Sequence, residues 1–152
     1  TSTNVLYSGT MSAAIEGAME GIPSIGFSLA DYSADADFEA TQYFSEKIIS
    51  EAFKNEFPKH VCLNVNVPNL KKQAIKGIKI THQAHAFWAD SFLKREDQFG
   101  KNYYWLTGEF SDVDQRENTD LQAMKEGFVS IVPTQFDLTA YNLMNDFKKW
   151  KL

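Results

Sequence analysis

The amino-acid sequence predicts an α/β protein in which helices cover a parallel β-sheet and a long β-hairpin extends from it. Helical and strand-like segments alternate over residues 11–68, the usual pattern of strands joined through helices. The aromatic-rich stretch 86–113 is divided by a turn-like sequence at 97–102, which favours two strands of one hairpin. With 152 residues, 43% of them hydrophobic, the chain can bury the core of a single domain.

The first half contains two predicted helices, each followed by a predicted strand. Residues 12–19 form a short helix that can pack closely through its alanines, and the apolar run at 23–30 predicts a buried strand. Between 37 and 57 the apolar residues recur at helical spacing, with charged residues on the opposite side, so this segment predicts an amphipathic helix. Pro58 ends that helix, and residues 61–67 predict the next strand.

The second half is predicted to return to the sheet after the hairpin. Its elements, in order, are a strand at 75–81, the hairpin at 86–113, a helix at 121–126 capped by Asn118-Thr119-Asp120, a strand at 128–133 and a terminal helix at 142–150. The aromatic hairpin and the terminal helix each need a surface to cover them. For the hairpin that surface is either a second subunit or its own domain.

Composition limits the classes of partner. The formal net charge of −5 and the isoelectric point near 5.2 argue against sequence-independent binding of large nucleic acids, which needs a basic surface. A small phosphorylated ligand remains compatible with this charge. The single cysteine, Cys62, lies in an apolar run and allows no internal disulfide, as expected in a reducing compartment. No apolar run is long enough to span a bilayer, so we expect no membrane association and a cytoplasmic location.

The turn Tyr7-Ser8-Gly9-Thr10 is the first candidate site. It leads directly into the helix at 12–19, so the unpaired amides of the first helical turn can face an anion. The alternative is that serine or threonine there is an ordinary helix N-cap. Both interpretations remain open from local chemistry, and no general base can be placed beside Ser8 to make it a nucleophile.

The other polar residues give weaker signals. His82 and His85 are three apart and would lie on opposite faces of a strand, so they form a poor metal pair, and surface or interface roles are favoured for them. A group of carboxylates follows the hairpin and is interpreted as a solvated loop with one helix cap: Glu109, Asp112, Asp114, Glu117 and Asp120. No dinucleotide fingerprint, phosphate-loop lysine motif or nucleophile elbow is present.

Ordered sequence blocks run through almost the whole chain, beginning with Tyr-Ser-Gly-Thr and a following Ala-Ala-Ile-Glu-Gly. The blocks are 5–10, 13–17, 21–29, 63–68, 76–81, 104–106, 119–120, 127–134 and 137–140. In these blocks and their order the sequence resembles the SurE family, the survival-protein 5′/3′-nucleotidases. The segment 82–85 departs from the pattern, because many relatives carry arginine and glycine there.

The resemblance implies a partial Rossmann-like, three-layer α/β fold. Residues 1–70 would be the C-terminal part of the core, 71–117 a hairpin extension for oligomerisation, and 118–152 a return to the core followed by a C-terminal helix. It also implies a homodimer or tetramer assembled through the 86–113 hairpin and the C-terminal helix.

The resemblance further implies a metal-dependent phosphatase that hydrolyses nucleoside monophosphates. Ser8, Gly9 and Thr10 would lie beside the substrate phosphate, and no catalytic residue is expected within this chain. A manganese or magnesium ion would be held by ligands upstream of Thr1, so the chain is expected to be the C-terminal portion of the enzyme and inactive alone.

Two other functions are weighed against this one. A non-catalytic binding or assembly domain could keep the fold and use the hairpin for association, and an aspartate pair in the upstream sequence would decide against it. A nicotinamide-dependent enzyme of Rossmann type is disfavoured by the missing glycine fingerprint.

Overall fold

The computed structural model describes residues 1–151 and confirms the α/β class. The helices are α1 (Gly9–Met19), α2 (Glu39–Lys54), α3 (Asp120–Lys125) and α4 (Met144–Phe147), with 3-10 helices at Ser2–Tyr7, Lys72–Ala74 and Tyr141–Leu143. The strands are β1 (Ser24–Leu29), β2 (Val61–Val67), β3 (Ile78–Ile80), β4 (Ala86–Glu96), β5 (Asn102–Asp112) and β6 (Val129–Gln135).

The main sheet is mixed and has the strand order β1-β2-β6-β3. Strands β1 and β2 are parallel, as predicted, with Ser28 beside Asn66. Strand β6 is antiparallel to β2 and parallel to β3, so the parallel pairing predicted for the first half does not extend to the whole sheet. Hydrophobic periodicity reports which residues are buried but not the direction in which a strand enters the sheet.

The two faces of the sheet differ in chemistry. On one face Val65 and Val67 of β2 pack under α2, together with Phe44 and Ile48. Successive side chains of a strand alternate between faces, so Cys62 and its period-2 neighbours Asn64 and Asn66 lie on the other face. Cys62 packs there in the core beneath α1. The α2 face is therefore continuously apolar, whereas the α1 face becomes polar toward the carboxyl end of β2.

Helix α1 lies very close to β1, as its small residues predict. A β-carbon built at Gly17 would lie 2.2 Å from Ser24 Oγ, and one built at Gly26 would lie 2.7 Å from Met11 Sδ. Ala18 and Met11 are each only 2% exposed. This close contact fixes where the N-terminus of α1 stands relative to the sheet.

Strands β4 and β5 form the predicted hairpin. They pair in continuous antiparallel register from Ala86 opposite Asp112 to Glu96 opposite Asn102. The turn uses Gly100 in the left-handed region, at φ 78°. The hairpin does not fold back over its own domain, because Trp105 is 64% exposed and Phe92 is 69% exposed.

The C-terminal helix is shorter than the predicted 142–150. A 3-10 turn leads into α4, which spans only Met144–Phe147. Its apolar residues remain partly exposed, with Trp150 at 63%. Most helix stability comes from burying an apolar face, and no such burial is available here within the described chain.

Strand β3 is also shorter than the predicted 75–81. It begins at Ile78, because Lys72–Ala74 form a 3-10 turn and Gly77 has a φ of 139°. Although β3 falls within the predicted extension 71–117, it is an edge strand of the main sheet.

Candidate functional site

A polar cavity of about 310 Å³ lies where the carboxyl ends of β1 and β2 meet the N-terminus of α1. Its lining comes from four segments of the chain: Thr1, Asn4, Ser8, Ser28, Leu29, Ala30, Tyr32, Asn66 and Met124. Open α/β sheets bind ligands beyond the carboxyl ends of parallel strands, so this is where the fold places a ligand site.

Ser8 is the N-cap of α1. Its backbone is extended, at φ −83° and ψ 118°, and its Oγ accepts a hydrogen bond from the amide of Met11 at 3.2 Å. Its carbonyl accepts from the amide of Ser12 at 2.8 Å. The sequence left open whether Ser8 is a cap or part of an anion site. The structure shows that it is a cap and that it also lines the cavity.

Capping by Ser8 leaves two amides of the first turn available. The first four amides of a helix have no intrahelical acceptor, apart from what the cap supplies. Within the described chain, Ser8 serves Met11 and Ser12, while the amides of Gly9 and Thr10 have no acceptor. A β-carbon built at Gly9 would meet no atom within 4 Å, so the space beside it is open. The helix start can therefore approach an anion closely.

Asn66 lines the cavity and is hydrogen-bonded to its neighbour Asn64. Both side chains are almost fully buried, at 4% and 3% exposure. Asn66 Nδ2 donates a hydrogen bond to Asn64 Oδ1 at 2.9 Å. This pair was not among the predicted site residues, although two asparagines at a spacing of two inside an apolar strand are a usable signal. Nor were Ser28 and Tyr32, which carry no such signal.

The carboxylate of Asp120 is buried, contrary to the predicted solvated loop. Its side chain is fully shielded from solvent. Its two oxygens accept hydrogen bonds from the backbone amides of Ser2, Ala84 and Leu121. The predicted cap of the following helix is confirmed as Thr119, whose Oγ1 accepts from the amide of Gln122 at 3.1 Å.

Two other acidic residues of that group, Asp114 and Asp112, form ion pairs. Asp114 pairs with Arg116 at 2.5 Å and also accepts from the amide of His85 at 2.7 Å. The hydrogen bonds from Arg116 and His85 hold the pKa of the Asp114 carboxyl far below its usual value. Asp112 pairs with Lys125 at 3.0 Å.

The described residues do not fit a metal centre. Within residues 1–151 no group of three or more histidine, cysteine, aspartate or glutamate side chains is arranged to hold a cation. His82 Nε2 is hydrogen-bonded to the carbonyl of Glu117 at 2.9 Å, and the ring of His85 packs near Phe87.

Over the same residues, no helix has the length and apolar character needed to cross a bilayer.

Comparison with known proteins identifies one family. The family described as "Survival protein SurE" matches residues 1–90. The 5′-nucleotidase SurE of Christiangramia forsetii is 54% identical over 99% of this chain and 58% of its own length. The protein of the same name from Thermoanaerobacter sp. is 43% identical over 99% of this chain and 59% of its own length.

A solved structure has the same fold. The crystal structure of the SurE protein from Aquifex aeolicus superposes with a TM-score of 0.82 at 37% identity. The match covers 97% of this chain and 59% of that protein. This chain therefore spans somewhat more than half the length of the relatives it matches.

Proposed function

Because this chain belongs to the SurE family, we propose that it is the C-terminal portion of a metal-dependent phosphatase that hydrolyses nucleoside monophosphates. The observation that carries the proposal is the polar cavity at the N-terminus of α1, lined by Ser8 and Asn66. The names of the relatives, 5′-nucleotidase SurE, support nucleotides as the substrate class.

Ser8, Gly9 and Thr10 hold the substrate phosphate in this proposal. The amides of Gly9 and Thr10 donate to phosphoryl oxygens, and the partial positive charge at the helix start favours the anion. The Ser8 hydroxyl can accept from Met11 and donate its own proton to a phosphoryl oxygen at the same time, since a hydroxyl does both. These groups stabilise charge on the phosphoryl oxygens by hydrogen bonding and electrostatics.

The cation of this enzyme, manganese or magnesium, is not assigned to any described residue. We place its ligands in the part of the protein that the relatives have beyond this chain, since the match covers 58% of their length. The phosphate-binding turn and the cation site are then supplied by two parts of one longer protein.

The hairpin serves as an oligomer interface in this proposal, giving a homodimer or tetramer. One of its faces, here called the aromatic face, carries Trp88, Phe92, Tyr104, Leu106 and Phe110, which register pairing places side by side. All five are more than a third exposed. An exposed apolar surface of this extent is typical of a surface that binds another protein. The C-terminal segment, with its exposed Phe147 and Trp150, adds to the same interface.

The alternative function is a non-catalytic binding or assembly domain. The exposed aromatic face is the observation that favours it. An aspartate pair at the end of the first strand in the upstream sequence would decide for the enzyme. The cytoplasmic location stays a prediction.

The test is a phosphate-release assay of the full-length protein with AMP, GMP and 3′-AMP, with manganese or magnesium and with a chelator as control. We expect release that depends on the cation. No cation-dependent release from any nucleotide would contradict the enzymatic function. The 152-residue chain alone is expected to be inactive, and turnover by it would contradict the placement of the metal ligands outside it.

A further inference from the structure

Asp120 is a buried carboxylate that the proposed phosphate site does not yet use. Its Oδ2 accepts from the amide of Ser2 at 2.6 Å. Its Oδ1 accepts from the amide of Ala84 at 3.0 Å and from the amide of Leu121 at 2.8 Å. Through these hydrogen bonds one side chain connects the start of the chain, the segment before the hairpin and the first turn of α3.

The hydrogen bond between Ser2 and Asp120 lies only a few residues before the proposed phosphate-binding turn in the sequence. Ser2 begins the 3-10 helix that ends at Tyr7, and Ser8 follows directly. Val5 anchors the middle of this helix in the α1 core, and its carbonyl accepts from the amide of Ser8 at 3.2 Å. The 3-10 helix therefore has an apolar anchor at Val5 and two polar anchors, the Asp120 carboxylate at its start and the carbonyl of Ala86, which accepts from Thr3 Oγ1. All of them precede the turn.

The conformation of Ser2 shows that the chain accommodates this contact at a cost. Ser2 has a φ of 53°, in the left-handed region that favours glycine. Its buried hydroxyl has no hydrogen-bond partner among the described residues. Both features are unfavourable, and they persist because the surrounding contacts hold the backbone so that the Ser2 amide faces Asp120.

We propose that Asp120 is a positioning residue for the phosphate-binding turn. It does not touch the substrate. Its carboxylate fixes the Ser2–Tyr7 helix, and that helix sets where the amides of Gly9 and Thr10 stand over the cavity. This inference rests on the proposed function, because it assigns Asp120 a role in binding the phosphate of that same site.

Asp120→Asn is the most informative variant, because it removes the hydrogen bond from the Ser2 amide and keeps those from the amides of Ala84 and Leu121. The single remaining carbonyl oxygen can satisfy the two amides of Ala84 and Leu121. The new amide group then faces the Ser2 amide, donor against donor. In the full-length protein we expect kcat/KM for the preferred nucleotide to fall about 10-fold to 100-fold, the range that a misplaced group costs, with KM raised several-fold. We also expect inorganic phosphate to inhibit several-fold more weakly.

A merely structural role gives a different result. It would lower the melting temperature and the folded fraction but leave KM and the inhibition constant of phosphate unchanged for the folded molecules. The control is Ile48→Val, which removes a buried carbon from the core beneath α2, on the face of the sheet opposite the cavity. We expect this variant to lose stability and keep the inhibition constant of phosphate. An Asp120→Asn protein that keeps the wild-type KM and phosphate inhibition constant overturns the proposal.

A second measurement covers the case in which Asp120→Asn does not fold. Coupling between two sites is reciprocal, so a contact that positions the turn for phosphate must itself be stabilised by phosphate. Hydrogen exchange of the wild-type Ser2 amide should slow several-fold when inorganic phosphate saturates the protein, while hairpin amides are unaffected. Exchange at Ser2 that does not respond to bound phosphate contradicts the proposal. Absence of nucleotidase activity in the wild type would instead refute the proposed function, so the two failures are distinguishable.

Discussion

Asn66 Nδ2 donates a hydrogen bond of 2.9 Å to Asn64 Oδ1 inside strand β2, where both side chains are almost fully buried. Each amide supplies a partner that the other needs, which is how two polar side chains persist in the centre of the sheet. Of the two, Asn66 also lines the cavity. The pair therefore connects the stability of the sheet to the shape of the proposed site.

Asn64→Leu should destabilise the protein more than the loss of one contact suggests. It leaves the Nδ2 group of Asn66 buried without its acceptor, which costs about 1–3 kcal/mol. Chemical unfolding of Asn64→Leu, Asn66→Leu and the double variant would measure this. The double variant should cost less than the sum of the two single variants. Additive losses would show that the two side chains are energetically independent.

A variant at Ser8 can be compared with a control variant that should lose a similar amount of stability. Ser8→Ala removes the cap bond to Met11 and should cost about 1 kcal/mol of folding free energy. The same change removes a donor to phosphate, so KM for nucleotide should rise about 10-fold or more.

Asp37→Ala is the control for this variant. The Asp37 carboxylate accepts from the amide of Glu39 at the start of α2, which packs on the opposite face of the sheet. It should lose comparable stability with little change in KM. A Ser8→Ala protein with wild-type KM would limit Ser8 to capping.

Gly9→Ala should weaken phosphate binding without lowering the stability of the protein. An added β-carbon meets no atom within 4 Å and Gly9 lies in a helix, so stability should be unchanged or rise by up to about 0.5–1 kcal/mol. The methyl group would occupy the open space beside the free amides, so phosphate should bind more weakly. Calorimetric unfolding and phosphate inhibition measure the two effects. Unchanged inhibition would show that the ligand does not approach Gly9.

Asp114 should make stability depend on pH. The pKa of its carboxyl is lowered in the folded protein, first by the hydrogen bond from Arg116. In the unfolded protein the Asp114 carboxyl, with a pKa of about 3.9, binds protons more readily than it does in the folded protein. The stabilisation is therefore complete above about pH 4–5 and is lost as the pH falls toward the folded pKa.

Asp114→Asn should accordingly be less stable than the wild type at pH 7, and the difference in stability should shrink steadily as the pH falls below about 4. Arg116→Gln should remove part of the same dependence, because it deletes the largest cause of the shift. Urea unfolding at several pH values measures this. A constant difference between Asp114→Asn and wild type would refute the assignment.

Some elements of the fold can be predicted from the sequence and others cannot. The amphipathic pattern of α2 and the aromatic pattern of the hairpin report local burial, and both elements lie where the sequence predicts them. The direction of β6 depends on how the chain leaves the hairpin, a property of topology that no periodicity contains.

In the candidate site, too, local features can be predicted from the sequence and long-range contacts cannot. The turn at Ser8 can be read locally, because a cap and a free helix start are features of adjacent residues. The contact between Asp120 and Ser2 joins residues 118 positions apart, so Asp120 reads in sequence as one more loop carboxylate. Its burial follows only once β6 and α3 are placed beside the start of the chain.

The aromatic face of the hairpin provides the test of assembly. Leu106→Glu places a charge in its centre, directly opposite Phe92, and should shift the full-length protein from oligomer to monomer, because a buried unpaired charge is strongly unfavourable. Thr107→Glu is the matched control: it adds the same charge one residue away, on the opposite face beside Ser91. Light scattering after size-exclusion chromatography should find Thr107→Glu oligomeric. Loss of the oligomer in both variants, or in neither, would contradict assembly through this face, since only a face-specific effect follows from the alternation of side chains along a strand.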